Sequence, residues 1–87
     1  MMIFIKTRSG RYINLNHIIG FAVEYEKIEL DGKNVPVFEV IAYLPQPLLP
    51  AVLGIYLTEE SAEEHLDLLV NEILSKEKGI VQLETEV

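Results

Sequence analysis

This sequence predicts an α+β domain, on three observations: two β-hairpins marked by turn residues, an apolar strand running into a helix N-cap, and a long amphipathic helix in the last third. The expected architecture is an antiparallel sheet of five or six strands with the C-terminal helix across one face, over residues 1–87 as a single domain. A small curved or barrel-like sheet capped by the same helix is the alternative, since Gly20 and Gly54 inside strands permit sharp bends.

Met2–Thr7 has β-forming composition, and Ser9-Gly10 is a two-residue turn signal. Arg11–Leu15 then resumes an apolar and polar alternation at Ile13 and Leu15. After the polar break at Asn16 and His17, Ile19, Phe21, Val23 and Tyr25 alternate with Gly20, Ala22, Glu24 and Glu26, the period of a half-buried strand. Asp31-Gly32 tolerates positive φ, and Val35–Leu44 returns as the partner strand. Pro36 cannot donate to a ladder, which places it at an edge or beside a bulge. Pro45, Pro47 and Pro50 exclude regular structure from the next segment and make it an extended surface loop.

Val52–Leu57 reads as a strand ending at Thr58, an N-cap residue, with Glu59 and Glu60 in the first helical turn, where negative charge suits the helix dipole. Ala62, Leu66, Leu69, Val70, Ile73 and Leu74 recur at three- and four-residue spacing and define the packed face. Lys76 and Lys78 are expected in the last turn and Gly79 at the C-cap, giving a helix over 59–78. Ile80, Val81 and Leu83 suggest a short final strand or docked tail, with 84–87 expected to fray.

The 87 residues have a net charge of −7, and its distribution is lopsided. Residues 1–57 carry five cations and five acids; residues 58–87 carry nine acids against Lys76 and Lys78 and so hold the whole excess. That asymmetry opposes general nucleic-acid binding, which needs clustered Lys and Arg. The chain has no cysteine, which excludes disulfides, thiolate nucleophiles and thiolate metal sites. The apolar start, Met1–Ile5, runs into Lys6 and Arg8 and is too short for a secretory core. The longest apolar candidate, Val35–Tyr56, is broken by Pro36, Glu39, Pro45, Pro47 and Pro50, so no membrane partner is expected and the expected setting is cytoplasmic.

No constellation of residues specifies catalysis. His17 and His65 lie in different elements with no metal-ligand spacing, and His65 sits beside the apolar helix face, where a boundary histidine is the simpler account. Glu59, Glu60, Glu63 and Glu64 are one turn apart but read as a solvated helix face. Ser9, Ser61 and Ser75 lack a nucleophile elbow, and no glycine loop is suited to phosphate. No catalytic, cofactor or metal residue is therefore assigned, and no cofactor is expected. Two sets of residues are candidates for contact: Lys6, Arg8 and Arg11 around the first turn, beside Tyr12, for an anion; and Pro47, Leu48, Leu49 and Pro50 for a protein partner, a second copy of the chain included.

The stretch from Ser9 to Phe21, Ser-Gly-Arg-Tyr-Ile-Asn-Leu-Asn-His-Ile-Ile-Gly-Phe, resembles the opening of small bacterial flagellar-regulator proteins of the FlbD type. The Asp-Gly turn at 31–32 and the run Glu60-Ser61-Ala62-Glu63-Glu64 extend the resemblance to about half the chain, whereas the proline loop and the strand before the helix depart from that pattern. The resemblance implies a noncatalytic bacterial regulator acting through protein contacts and transfers no site residue. The expected function is accordingly a protein-interaction or regulatory module. The alternatives are a small-ligand or enzymatic cleft near His65 and an acidic mimic of nucleic-acid charge that binds a basic protein.

Overall fold

The computed structural model describes residues 2–87; Met1, at the head of the apolar start, lies outside them. The elements follow in the order β1 (Met2–Lys6), β2 (Tyr12–Asn14), a 3-10 turn (Leu15–His17), β3 (Gly20–Leu30), β4 (Lys33–Tyr43), β5 (Ala51–Tyr56), α1 (Glu59–Ser75) and β6 (Lys78–Gln82). The α+β class and every expected strand are present. The expected single sheet of five or six strands is not: the described residues form two three-stranded sheets, ordered β2-β1-β6 and β3-β4-β5, and neither closes into a barrel.

Competition for strand edges explains the division. One side of β1 pairs antiparallel with β2, and the other side pairs parallel with β6, from Met2 opposite Lys78 to Lys6 opposite Gln82. The outer edge of β5 is occupied by the C-terminal tail. Thr85 Oγ1 accepts from the Ile55 N–H at 2.8 Å, and the Glu86 N–H donates to the Ile55 carbonyl at 2.9 Å. With those edges filled, the two ladders meet through the Arg8 N–H donating to the Val52 carbonyl at 3.0 Å. Residues 84–87, expected to fray, are thus docked, because an open β5 edge offers them backbone partners.

Both hairpin turns follow from their residues. Gly10 has φ +92°, and the buried Thr7 hydroxyl accepts from the Arg11 N–H at 3.0 Å, closing the β1–β2 turn. Asp31 and Gly32 have φ of 51° and 77°, which makes Asp-Gly the tight two-residue connection of the β3–β4 hairpin. Pro36 lies in β4, the middle strand of its sheet, but in the early part that has a neighbour on one side only and is locally an edge. It is opposite Lys27 of β3 and comes before the β5 ladder, which begins at Phe38, so no bond to β5 is lost. The register of β4 on β5 slips between Val40 and Ile41, leaving Leu53 as the extra residue next to Gly54.

Thr58 caps α1 as expected, its hydroxyl accepting from the Ser61 N–H at 3.1 Å. The helix ends at Ser75, short of the expected 78. Lys76 is already extended, with φ −102° and ψ 136°, and Gly79 serves as a positive-φ residue inside β6 in place of a helix cap. The chain leaves the helix early because residues 78–82 form the parallel ladder on β1. Ile3 and Ile5 of β1 and Val81 of β6 meet Val40, Ala42, Leu53 and Tyr56 across the core, with Ala62 and Leu69 of α1 closing it.

Tyr56 is fully buried, its ring stacks on His65 of α1 at 4.4 Å between centroids, and its hydroxyl donates to the Glu84 carbonyl at 2.6 Å. A Cβ at Gly54, two residues back on the same strand face, would lie 2.8 Å from Tyr56 Cζ and overlap the hydroxyl as well. To make room, the ring would have to leave its stack on His65 or its bond to Glu84. Gly54→Ala is therefore expected to cost about 1–3 kcal/mol by overpacking, with non-additive coupling to Tyr56→Phe in a double-mutant cycle read by urea unfolding. Additive effects would show that the ring moves freely.

The Glu86 carboxylate accepts from the Leu57 N–H at 2.9 Å and the Ser61 hydroxyl at 2.8 Å. The Leu57 bond first, and then the Ser61 bond, holds its pKa below the usual carboxylate value. A lowered folded pKa contributes stability that is present above the unfolded value and lost as pH falls through the folded one. The stability difference between the native chain and Glu86→Gln should accordingly narrow on acidification. Equal differences at neutral and acidic pH would contradict this.

Candidate functional site

The proline loop and the first hairpin, both singled out in the sequence, prove to be neighbours. Arg11, Tyr12 and Ile13 of the hairpin and Leu44 and residues 47–51 of the loop line one groove of about 620 Å³. A turn closed by the Leu48 N–H on the Pro45 carbonyl at 3.0 Å shapes the loop and lifts its leucines outward. Leu48 is 61% exposed and Leu49 83%, with Tyr12 also exposed beside them. Prolines restrict the backbone on either side of these leucines, so their ordering cost on meeting a partner is reduced in advance.

The structure gives the three cations of the expected anion contact, Lys6, Arg8 and Arg11, different neighbours. The Lys6 ammonium lies over the Tyr12 ring, 5.5 Å from its centroid, and helps hold the phenol at the groove. Arg8 turns the other way, its Nε–H donating to the Val87 carbonyl at 2.9 Å and fastening the C-terminal tail. Arg11 alone lines the groove, and among the described residues its guanidinium has no carboxylate within ion-pair distance. One cation at the margin of an apolar groove can select a negatively charged partner by position, but it is not a polyanion surface.

A second, more open groove of about 610 Å³ runs between α1 and the segment after β6, lined in part by His65, Leu68, Glu72, Gln82 and Glu84. His65 Nδ1 is engaged by the Ser61 carbonyl at 2.7 Å, and its ring is stacked on Tyr56. Neither Glu64 nor His17, the partners that a catalytic reading of His65 requires, lines this groove, and His17 is exposed in the 3-10 turn. Among the described residues no three His, Asp or Glu side chains are placed to hold a metal ion. Burial raises the Tyr56 phenol to about 12, with Glu86 and Glu84 adding to the rise, so it is a neutral hydrogen-bond donor here and not a base.

Among the described residues no helix is long and apolar enough to cross a membrane. Comparison with protein-family models, with curated proteins and with solved structures returns no match to this chain. Sequence reasoning reached Arg11 and residues 47–50 separately and missed Ile13 and Leu44 as groove residues. The backbone bond from Arg8 to Val52 that draws the hairpin to the foot of β5 has no sequence signature.

The trio's division of roles is testable by urea unfolding. Arg8→Gln should lower stability by about 0.5–1.5 kcal/mol through loss of the bond to the tail, whereas Arg11→Gln should leave it within about 0.5 kcal/mol, as for an unengaged surface residue. Equal losses would show that Arg11 has a structural role.

Proposed function

We propose that this chain is a noncatalytic protein-interaction module that receives a partner in the groove between β2 and the proline loop. The carrying observation is the pair Leu48 and Leu49, 61% and 83% exposed on a proline-restricted loop beside an exposed tyrosine and an unpaired arginine. Leucines held in water lose the hydrophobic contribution that burial would supply, about 1.5–3 kcal/mol for each side chain, and an apolar patch rimmed by charge has the composition of an association surface.

A small-ligand site in the groove beside His65 is the second reading. Its favouring observation is a groove of about 610 Å³ that His65 lines together with Glu72 and Glu84. Separating the two readings requires substitutions in each groove that leave the core untouched. Leu49→Gln and Leu68→Gln qualify, since both side chains are exposed.

A tagged chain incubated with extract of its native host should recover a protein in near-stoichiometric amount. Recovery should fall at least fivefold with Leu49→Gln, as for a central interface leucine worth more than about 1 kcal/mol, and persist with Leu68→Gln. Recovery that depends on Leu68 and not on Leu49 would transfer the site to the His65 groove.

A further inference from the structure

We infer that the occupant of the proline-loop groove is helix α1 of a second copy of this chain, presented through Glu63, Asp67, Val70 and Leu74; this rests on the protein-binding reading above. The buried stripe of α1 runs through Ala62 and Leu69, with Leu66 and Ile73 partly covered. Glu63, Asp67, Val70 and Leu74 recur at spacings of four, three and four residues, which places them on a second stripe roughly a quarter turn round the helix. That stripe has no intramolecular cover over most of its length: Leu74 is 78% exposed and Val70 38% exposed, and both acids are exposed.

The stripe matches the groove in composition. Its first half is acidic and its second half apolar, and the groove combines Arg11 with Leu48, Leu49 and Tyr12. An amphipathic helix with anchors at three- and four-residue spacing is a recurrent occupant of such apolar grooves. The charge complementarity is local, a single Arg11 in the groove against the exposed Glu63 and Asp67 of the helix, since residues 1–57 as a whole are neutral. Neither Val70 nor Leu74 lines the groove of its own chain. The contact is therefore between two different patches of two copies, a head-to-tail arrangement that continues beyond a dimer unless it closes into a ring.

Two copies of net charge −7 repel at long range, so association belongs near physiological ionic strength, where the screening length is about 8 Å and a contact pair survives. Sedimentation of the purified chain should show a mass that rises with concentration past that of a dimer. Leu49→Gln and Leu74→Gln should each remain monomeric, with unchanged circular-dichroism melts because both leucines are exposed. An equimolar mixture of the two variants retains one intact groove and one intact helix stripe and should form a dimer that grows no further. Arg11→Glu should weaken association roughly fivefold, and mixing it with Asp67→Lys should restore the loss.

A native chain that stays monomeric, or a variant mixture that fails to dimerise, overturns the inference. Association lost in Leu49→Gln but intact in Leu74→Gln overturns it too, by showing that the groove meets something other than α1, and leaves the protein-binding reading standing. That reading fails separately if Leu49→Gln changes neither self-association nor the recovery of a partner from extract.

Discussion

The clamped ring of Tyr56 is the constraint on which the rest of the structure depends. It rises from the last residue of β5, lies back over Gly54, stacks on His65 of α1 and reaches the Glu84 carbonyl of the tail. One side chain thereby joins a strand of one sheet, the helix that covers the core, and the segment that follows the outer strand of the other sheet. Its hydroxyl is satisfied within the core, which a buried phenol requires. Gly54 is needed because any side chain there would occupy the space of the ring.

The division into two sheets is a matter of which backbone groups find partners first. Strand β1 has a parallel neighbour on one side and an antiparallel one on the other, and the tail covers β5 where a further strand would add. Thr85 uses its hydroxyl toward both the N–H and the carbonyl of Ile55, and Glu86 uses its backbone toward Ile55 and its carboxylate toward Leu57. Side chains and backbone together close an edge that would otherwise invite pairing with another chain. The edge strand β3 uses a different device, displaying Glu24, Glu26, Lys27 and Glu29 along its length.

The groove owes its existence to this arrangement. Because Arg8 bonds to Val52 at the start of β5, the first hairpin stands against the loop that precedes β5, and two segments more than thirty residues apart enclose one surface. The same hairpin separates three cations of similar sequence appearance into a clamp for a phenol, a tether for the tail and a group still without a partner. Acidic charge gathers on the opposite end of the chain, on a helix whose exposed leucines match the groove in character.

The sequence by itself determined β1 to β5, both turns and the start of α1, because these rest on local rules: period-two alternation, positive φ at Gly10, Asp31 and Gly32, and a threonine oxygen available to the first helical turn. It also marked residues 47–50 and the cations Lys6, Arg8 and Arg11 for contact, since prolines and charged residues are visible one residue at a time. Only the tertiary structure decided which strands pair, that α1 stops at Ser75 so that β6 can lie beside β1, that residues 84–87 dock, and that the loop and hairpin form one groove. Those outcomes depend on the choice among several backbone edges equally able to donate and accept, and that choice is settled by the packing of distant residues around Tyr56, which no local pattern encodes.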